Sequence, residues 1–269
     1  MRVSDTRPQL GIWLVRARSV PLGEHLRGAL GGALFMPWRS GAHDRGQDAC
    51  GLNGGTQRER FRAVFHMYKQ WVLVMATGIA VRLLDGLPRN KHSDPAVVVL
   101  DEAARYAISL LAGHEGGANR LAYRLAQITG AAPVVTTATE ALKPMTIGIG
   151  CRRGAGVEPI DAAVKCALGG RSVNAVREVA TIDLKANEPG IQAFCARYAL
   201  PLRVFTHAQI AARPWTVQPS IWVRDHIGLD GVCEPCALLA SVRGRLAVAK
   251  TALDGVAVAV AEDAPEWMD

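Results

Sequence analysis

Short apolar runs alternate along the chain with segments whose apolar residues recur every three or four positions. The runs predict buried strands and the longer periodic segments predict helices. Strands are expected at residues 10–15, 33–36, 71–76, 97–100, 106–111, 134–136, 146–150, 178–184, 202–205, 246–250 and 256–261. Helices are expected at residues 22–30, 61–68, 119–128, 159–168, 191–199 and 232–241. The last two strands predict a hairpin, with Asp254 and Gly255 at its turn.

This alternation of strands and helices predicts an α/β fold. We expect two β/α domains, residues 1–143 and 144–269, each with a mostly parallel sheet flanked by helices. Residues 37–60 are polar and glycine-rich, which predicts a long surface loop.

A polar, glycine-rich loop interrupts the apolar pattern of residues 97–140. Its sequence, Gly113-His114-Glu115-Gly116-Gly117-Ala118-Asn119, lies between a predicted strand and a predicted helix. The amides of Gly116 and Gly117 at a helix start are plausible donors to an anion. His114 is the best candidate there for proton transfer, because imidazole titrates near neutral pH. A loop held together by His114 hydrogen bonds is the alternative.

Two further segments carry candidate chemistry. Thr77 and Gly78 follow a predicted strand, where a glycine lets a ligand approach the backbone, although a plain turn explains them as well. Lys91, His92 and Asp94 place a cation, an imidazole and a carboxylate within four positions. Together these groups could bind an anion and transfer protons, or they could form an ordinary solvated loop.

The composition is that of a globular protein: 269 residues, of which 49% are hydrophobic and 20% charged. The net charge of +7 lies in residues 1–143, which contain 18 lysines and arginines but only 11 aspartates and glutamates. Residues 144–269 contain 13 basic and 13 acidic residues. The basic residues are dispersed and aromatics make up only 6%, so a small polycarboxylate or phosphate ligand fits at least as well as nucleic acid. The alternative is a basic surface that binds no ligand.

Other classes of function find little support. The first residues lack a signal-peptide core and no apolar run could span a membrane, so we expect a cytoplasmic protein without membrane contact. The six cysteines, including the isolated Cys233–Cys236 pair, lack metal-ligand spacing and are expected to be structural thiols. Gly148, Gly150 and Gly154 do not match a dinucleotide-binding loop. No Gly-x-Ser-x-Gly sequence indicates a serine nucleophile.

Several stretches in one order resemble the CbiG family. Residues 75–82, 91–98, 113–114, 116–119 and 136–139 resemble its N-terminal domain. Residues 148–154 and 180–185, with Glu188, Glu234 and Lys250, resemble its C-terminal domain. The chain departs from the family in lacking the middle domain that many members carry. It also has Glu115 where an apolar residue is usual, and Cys233 and Cys236 where small residues are usual.

The resemblance implies a cobalt-precorrin 5A hydrolase of the oxygen-independent cobalamin pathway, which opens a δ-lactone on a cobalt tetrapyrrole and releases acetaldehyde. It implies a tetrapyrrole partner, possible contacts with other enzymes of the pathway, and no resident cofactor or metal, since cobalt arrives in the substrate. The alternative is a non-catalytic tetrapyrrole-binding or handover protein, because the second half alone resembles a stand-alone protein of the oxygen-dependent pathway.

With the resemblance, residue types suggest roles. The expected proton-transfer residues are His114, His92 and Asp94. The expected substrate-binding residues are Thr77, Gly78, Arg82, Lys91, Gly116, Gly117, Asn119, Thr136, Thr137, Lys185, Glu188 and Glu234. For Lys185, Glu188 and Glu234, an ion pair that braces strand ends is the alternative to a substrate cleft. In the first half, the unit of residues 97–140 is expected to form one wall of a site whose other walls are residues 77–82 and 91–94.

Overall fold

The structure is a computed structural model that describes residues 8–36, 55–90, 92–213, 216–217, 219–241 and 243–263. Most of the predicted loop at 37–60, and Lys91, therefore lie outside the described residues. The chain divides between Thr137 and Ala138 into two compact units, each with its own sheet. Among the described residues, no helix has both the length and the apolar character that a membrane span requires.

The first unit is built on a six-stranded sheet with the order β2-β1-β3-β4-β5-β6. Its strands are β1 (Leu10–Leu14), β2 (Ala33–Phe35), β3 (Gln70–Val74), β4 (Ala96–Leu100), β5 (Tyr106–Leu111) and β6 (Ala132–Val134). Its helices are α1 (Val20–Leu30), α2 (Gln57–Val64), α3 (Thr77–Leu84) and α4 (Ala118–Thr129). All pairings are parallel except that of β4 with β5, which is antiparallel.

Helices cover both faces of this sheet because its central strands are apolar on both sides. In β3, Val72 and Val74 pack in one core with residues of α1 and α4, whereas Trp71 and Leu73 pack in a second core with residues of α2 and α3. Successive side chains of a strand point to opposite faces, so an uninterrupted apolar run serves both cores.

The second unit has a five-stranded sheet with the order β10-β11-β7-β8-β9. The first of its elements along the chain is the short helix α5 (Ala138–Ala141). Its strands are β7 (Met145–Cys151), β8 (Val176–Ile182), β9 (Leu202–Phe205), β10 (Arg245–Leu253) and β11 (Val256–Glu262). The other helices are α6 (Val157–Leu168), α7 (Pro189–Arg197), α8 (His207–Ala211), α9 (Ile221–Ile227) and α10 (Cys233–Ala240).

Only the pairings β7–β8 and β8–β9 of this sheet are parallel. The strands β10 and β11 form the expected hairpin, with Asp254 at φ 48° and Gly255 at φ 79°, and β11 pairs antiparallel with β7. Two positive φ angles in a two-residue turn match the twist of the strands it joins. The α/β class and the two helix-flanked sheets are confirmed, but the second sheet is half antiparallel because the hairpin folds onto its parallel part.

The second sheet is also covered on both faces. Ile147 and Ile149 pack with α6 and α7, whereas Ala180 and Ile182 pack with residues of α10 and its neighbours. The helix α10 lies directly on β7: a Cβ atom added to Gly148 would be 1.8 Å from the carbonyl oxygen of Cys233. The packing of α10 on β7 therefore requires glycine at position 148. This requirement explains Gly148 without a bound cofactor.

Candidate functional site

The glycine-rich loop lies at one edge of the first sheet. Since β5 and β6 run opposite to β3 and β4, the ends of the former and the starts of the latter share this edge. The contacts agree, because a Cβ atom added to Gly117 would be 3.3 Å from Nε2 of Gln70 at the start of β3. Thr136 and Thr137 follow β6 at the same edge.

The loop is compact and leaves no room for larger residues. The amide of Asn119 donates to the Gly113 carbonyl at 3.0 Å. A Cβ atom at Gly113 would be 2.6 Å from Thr137 Cγ2, and one at Gly116 would be 2.6 Å from Ala112 Cβ. Gly117 has a φ of 87° just before α4 begins, a conformation that glycine adopts without strain. These glycines therefore serve the shape of the loop, whatever it binds.

Asn119 joins three segments around this loop. Its Oδ1 accepts from Ser109 Oγ of β5 at 2.7 Å, and its Nδ2 donates to Thr137 Oγ1 at 2.9 Å. The residue is 9% exposed. Asn119 thus braces the loop through its side chain, and its expected contact with substrate stays a prediction. The sequence pattern does not single out Ser109, although Ser109 is a hydroxyl residue in a strand whose other residues are Tyr, Ala, Ile and Leu.

Two imidazoles lie on the exposed surface of the neighbouring loops. His114 is exposed on the glycine-rich loop. His92 Nδ1 is 3.7 Å from the Glu115 carboxylate, and both of these side chains are substantially exposed. The backbone amide of His92 donates to Asn90 Oδ1 at 2.9 Å, which fixes where this loop turns. Glu115, which departs from the family pattern, thereby lies next to the loop that carries His92.

Asp94 is placed differently from the two histidines. Its carboxylate oxygen Oδ2 accepts from the backbone amides of Arg89 at 2.6 Å and Asn90 at 2.8 Å, and the residue is 7% exposed. A carboxylate that accepts two backbone amides holds a turn in place. The structure thus gives Asp94 a bracing contact, and its expected proton transfer stays a prediction.

Thr77 and Gly78 do not join this group. They begin α3 after the end of β3, whereas the glycine-rich loop lies beside the start of β3. The first and last residues of a five-residue strand lie about 13 Å apart. The sheet topology therefore does not bring Thr77 and Gly78 next to the glycine-rich loop, because β5 returns antiparallel to β4. Their expected contact with substrate, as part of one wall of a single site, stays a prediction. Arg82 is different, since α3 runs back along the sheet and brings it near Leu111 of β5.

In the second unit, Lys185 and Glu188 form an ion pair after β8. Lys185 Nζ lies 3.1 Å from Glu188 Oε2, and the Gly154 amide donates to Glu188 Oε1. Burial acts to raise the pKa of Glu188, but the Gly154 amide and the Lys185 ammonium together outweigh it and hold that pKa below its usual range. The nearby Cys151 thiol has a pKa raised by burial. Glu188 therefore ties the β7–α6 loop to the start of α7.

Glu234 lies on the opposite face of the second sheet, in the first turn of α10. It is 1% exposed, and it accepts from the backbone amides of Val217 at 2.8 Å and Lys250 at 2.9 Å. Lys250 belongs to β10, whose pairing with β11 shifts register between Val248 and Thr251. The buried carboxylate thus connects α10 to this irregular strand. Binding of substrate by Glu234 stays a prediction.

The described cysteines are free thiols. Burial raises the pKa of Cys195 and of Cys233 to about 12 and raises that of Cys236 as well. Thiols with such pKa values stay protonated and are poor nucleophiles and metal ligands. Over the described ranges, no group of three or more His, Cys, Asp and Glu side chains could hold a metal ion.

The fold and these sites define a two-unit α/β protein with a braced, histidine-bearing loop in the first unit. Family models for the cobalamin synthesis G N-terminal and C-terminal regions match residues 59–140 and 145–261. The chain belongs to the CbiG family.

Named relatives and a solved structure are similar to parts of this chain or to most of it. A cobalt-precorrin-5A hydrolase of Salmonella typhimurium is 54% identical over 79 residues, which are 29% of this chain and 22% of that protein. Protein CobE of Sinorhizobium sp. is 32% identical over 108 residues, 39% of this chain and 70% of that protein. A solved cobalamin biosynthesis protein G homolog from Sulfolobus solfataricus aligns with 94% of this chain and 97% of its own, at 16% identity and a TM-score of 0.36. The chain thus matches about a fifth of the length of the Salmonella hydrolase.

Proposed function

We propose that this protein is a cobalt-precorrin 5A hydrolase. The observation that carries the proposal is that both family regions occur in one chain, one segment of which is 54% identical to a protein named as this hydrolase. The proposal includes a cytoplasmic location, a tetrapyrrole ligand, contacts with other enzymes of the pathway, and cobalt supplied by the substrate with no resident cofactor.

The reaction needs proton transfer at two points. Water adds to the lactone carbonyl and loses a proton, the ring C–O bond breaks, and the freed alkoxide carbon leaves as acetaldehyde. The electron pair of the broken C–C bond passes to the macrocycle, which takes up a proton. His114 and His92 are the proposed proton-transfer groups, because both are exposed imidazoles on adjacent loops and reach solvent and ligand alike.

The remaining residues of this edge have supporting roles in the proposal. The Gly116 and Gly117 amides, near the start of α4, would stabilise negative charge on the lactone oxygen. Asn119, Thr137 and Ser109 would keep the loop in shape through the hydrogen bonds described above. Thr136, which is exposed beside them, would contact a substrate carboxylate.

Release of acetaldehyde tests the proposal. Purified full-length protein is incubated with cobalt-precorrin 5A, and acetaldehyde is measured by its reduction with alcohol dehydrogenase and NADH. We expect His114→Gln to lower kcat about 100-fold, which is typical of a lost proton-transfer group. The matched control is His25→Gln, since His25 is an exposed histidine on α1 and should leave kcat unchanged.

The second candidate is a tetrapyrrole-binding handover protein, which the match of 108 residues to protein CobE favours. It predicts that the unmodified protein binds cobalt-precorrin 5A but releases no acetaldehyde. It also predicts that His114→Gln binds this compound as tightly as the unmodified protein. Such a result would refute the hydrolase proposal.

A further inference from the structure

A cleft of about 580 Å³ opens in the first unit beside the end of β5. It lies on the sheet face that α2 and α3 cover, at the point where α3 ends. Its lining residues are Arg58, Val81, Arg82, Leu84, Asp85, Gly86, Pro88, Leu110 and Leu111. This volume is within the range of sites for small organic molecules. Neither the sequence pattern nor the loop residues described above indicated this cleft as a whole.

The floor and one wall of the cleft are apolar. Leu110 and Leu111 of β5 are only partly buried, and Val81 on the outer side of α3 is 56% exposed. Exposed apolar side chains grouped in a concavity are typical of a site that binds an apolar surface.

The charge of the cleft is positive, and one arginine supplies the excess. Arg58 forms an ion pair with Asp85, and Arg62 donates to the Asp85 carbonyl at 3.0 Å, so the Asp85 carboxylate is already compensated. Among the described residues, the exposed Arg82 side chain has no ion-pair or hydrogen-bond partner. A free guanidinium next to an apolar floor can bind a carboxylate through two parallel hydrogen bonds while the floor contacts hydrocarbon.

We infer that this cleft binds one edge of a carboxylate-bearing tetrapyrrole, with Arg82 on a peripheral carboxylate and Val81, Leu110 and Leu111 against the ring. The inference rests on the proposed function and deepens it, because it assigns the ligand a second contact region besides the glycine-rich loop. The two regions adjoin along the chain, since Leu111 is two residues before Gly113. A ligand in the cleft therefore lies close to the loop that carries His114.

Titration of the full chain with uroporphyrin III, a porphyrin with eight carboxylates, tests the inference through porphyrin absorbance and fluorescence. We expect Arg82→Gln to raise the Kd about tenfold or more, as for loss of a charge-assisted contact. Val81→Asp should weaken binding similarly, because it places a negative charge in the apolar wall. The matched control is Arg124→Gln: Arg124 is an exposed arginine of α4, on the other sheet face, and has no partner among the described residues.

Absence of uroporphyrin III binding by the unmodified protein would overturn the inference, and so would equal Kd values for Arg82→Gln and Arg124→Gln. A third contrary result is displacement of the porphyrin by inorganic phosphate at an ionic strength well below that at which sodium chloride displaces it. The last result would indicate a simple phosphate site.

The acetaldehyde assay separates this inference from the proposed function. Turnover with an unchanged KM in Arg82→Gln refutes the cleft and leaves the hydrolase standing. Binding of uroporphyrin III that depends on Arg82, without any acetaldehyde release by the unmodified protein, refutes the hydrolase and leaves the cleft standing. Circular dichroism checks that each variant is folded; Arg82, Val81 and Arg124 are all exposed, so folding should be unaffected.

Discussion

Asn119 shows how a single side chain shapes the candidate site. It occupies the first turn of α4 and bonds to hydroxyl groups of β5 and of the segment after β6. A buried amide with both a donor and an acceptor can satisfy two hydroxyl groups at once, which no apolar residue of similar size can do.

Replacing this amide should loosen the loop. We expect Asn119→Ala to lower the free energy of unfolding by about 1–3 kcal/mol, since the Ser109 and Thr137 hydroxyls lose a buried partner. Urea unfolding of the full chain measures the change. Arg124→Ala, at an exposed position on the same helix whose side chain has no partner among the described residues, is the control and should change stability by less than about 0.5 kcal/mol. Equal effects of the two substitutions would contradict a bracing role for Asn119.

Glu188 gives a prediction about pH. Its pKa in the folded state is below its usual value, so the ionised carboxylate stabilises the fold above the ordinary glutamate pKa of about 4.3. That contribution should disappear as the pH falls through the lower, folded-state pKa. Between pH 5 and pH 3, as typical limits for this titration, Glu188→Gln should therefore lose stability less steeply than the unmodified protein. Urea unfolding at several pH values measures the two slopes, and parallel slopes would refute the prediction.

At the scale of single residues, the sequence was informative about residue type but not about contact. It singled out the histidines, the glycines and Asn119 because polar and glycine residues are conspicuous between apolar elements. It could not show that the carboxylates of Asp94 and Glu234 accept hydrogen bonds from backbone amides. The donors are 4–5 residues from Asp94 and 16–17 residues from Glu234. Such partners follow from the fold.

At the scale of elements, the reversal between β4 and β5 decides which residues meet. Only residues 101–105 separate the two strands, and Asp101 holds their turn by accepting from the amides of Arg105 and Tyr106, each at 2.7 Å. A parallel connection needs a dozen or more residues, so this short spacing was a usable signal for an antiparallel pair. With that signal, Thr77 would have been placed at the edge opposite to the glycine-rich loop.

The contact of α10 with β7 gives a prediction at this scale. A methyl group at Gly148 would overlap the Cys233 carbonyl and force the helix away, whereas one at Gly150 would be 3.6 Å from Val232 Cβ, an ordinary contact. We expect Gly148→Ala to lower the free energy of unfolding by about 3 kcal/mol or more, and Gly150→Ala by less than about 1 kcal/mol. Thermal or urea unfolding compares them. Similar stability of the two variants would show that α10 does not pack on β7 this closely.

At the scale of the whole molecule, each unit buries apolar residues on both faces of its own sheet. Among the described residues, each hydrophobic cluster of the first unit is formed by residues of that unit, and the same holds for the second. Order along the chain predicted these two α/β units because consecutive elements usually pack together. The sequence predicts the hairpin of the second unit but not that it joins the sheet and makes it half antiparallel. A hairpin can pack on either edge of a parallel sheet.

Separate cores lead to a prediction for fragments. We expect residues 138–269 expressed alone to unfold cooperatively in urea, because this unit has a complete core and a length usual for a domain. Circular dichroism follows the transition. The control is the fragment of residues 170–269. It lacks β7 and α6, which share a core with β8, and should therefore not unfold cooperatively. A non-cooperative transition in the 138–269 fragment would mean that its core needs the rest of the chain.

The buried carboxylate of Glu234 also bears on solubility. The strand β10 is at the edge of the second sheet, where free backbone groups could pair with another molecule. Irregular edge strands resist such pairing, and the irregularity here coincides with the Lys250 amide, which donates to Glu234 instead of continuing a regular ladder. An apolar residue at position 234 would free this amide and favour a straighter edge. Glu234, which is expected to contact substrate, is thus also a residue that shapes the edge strand of the second sheet.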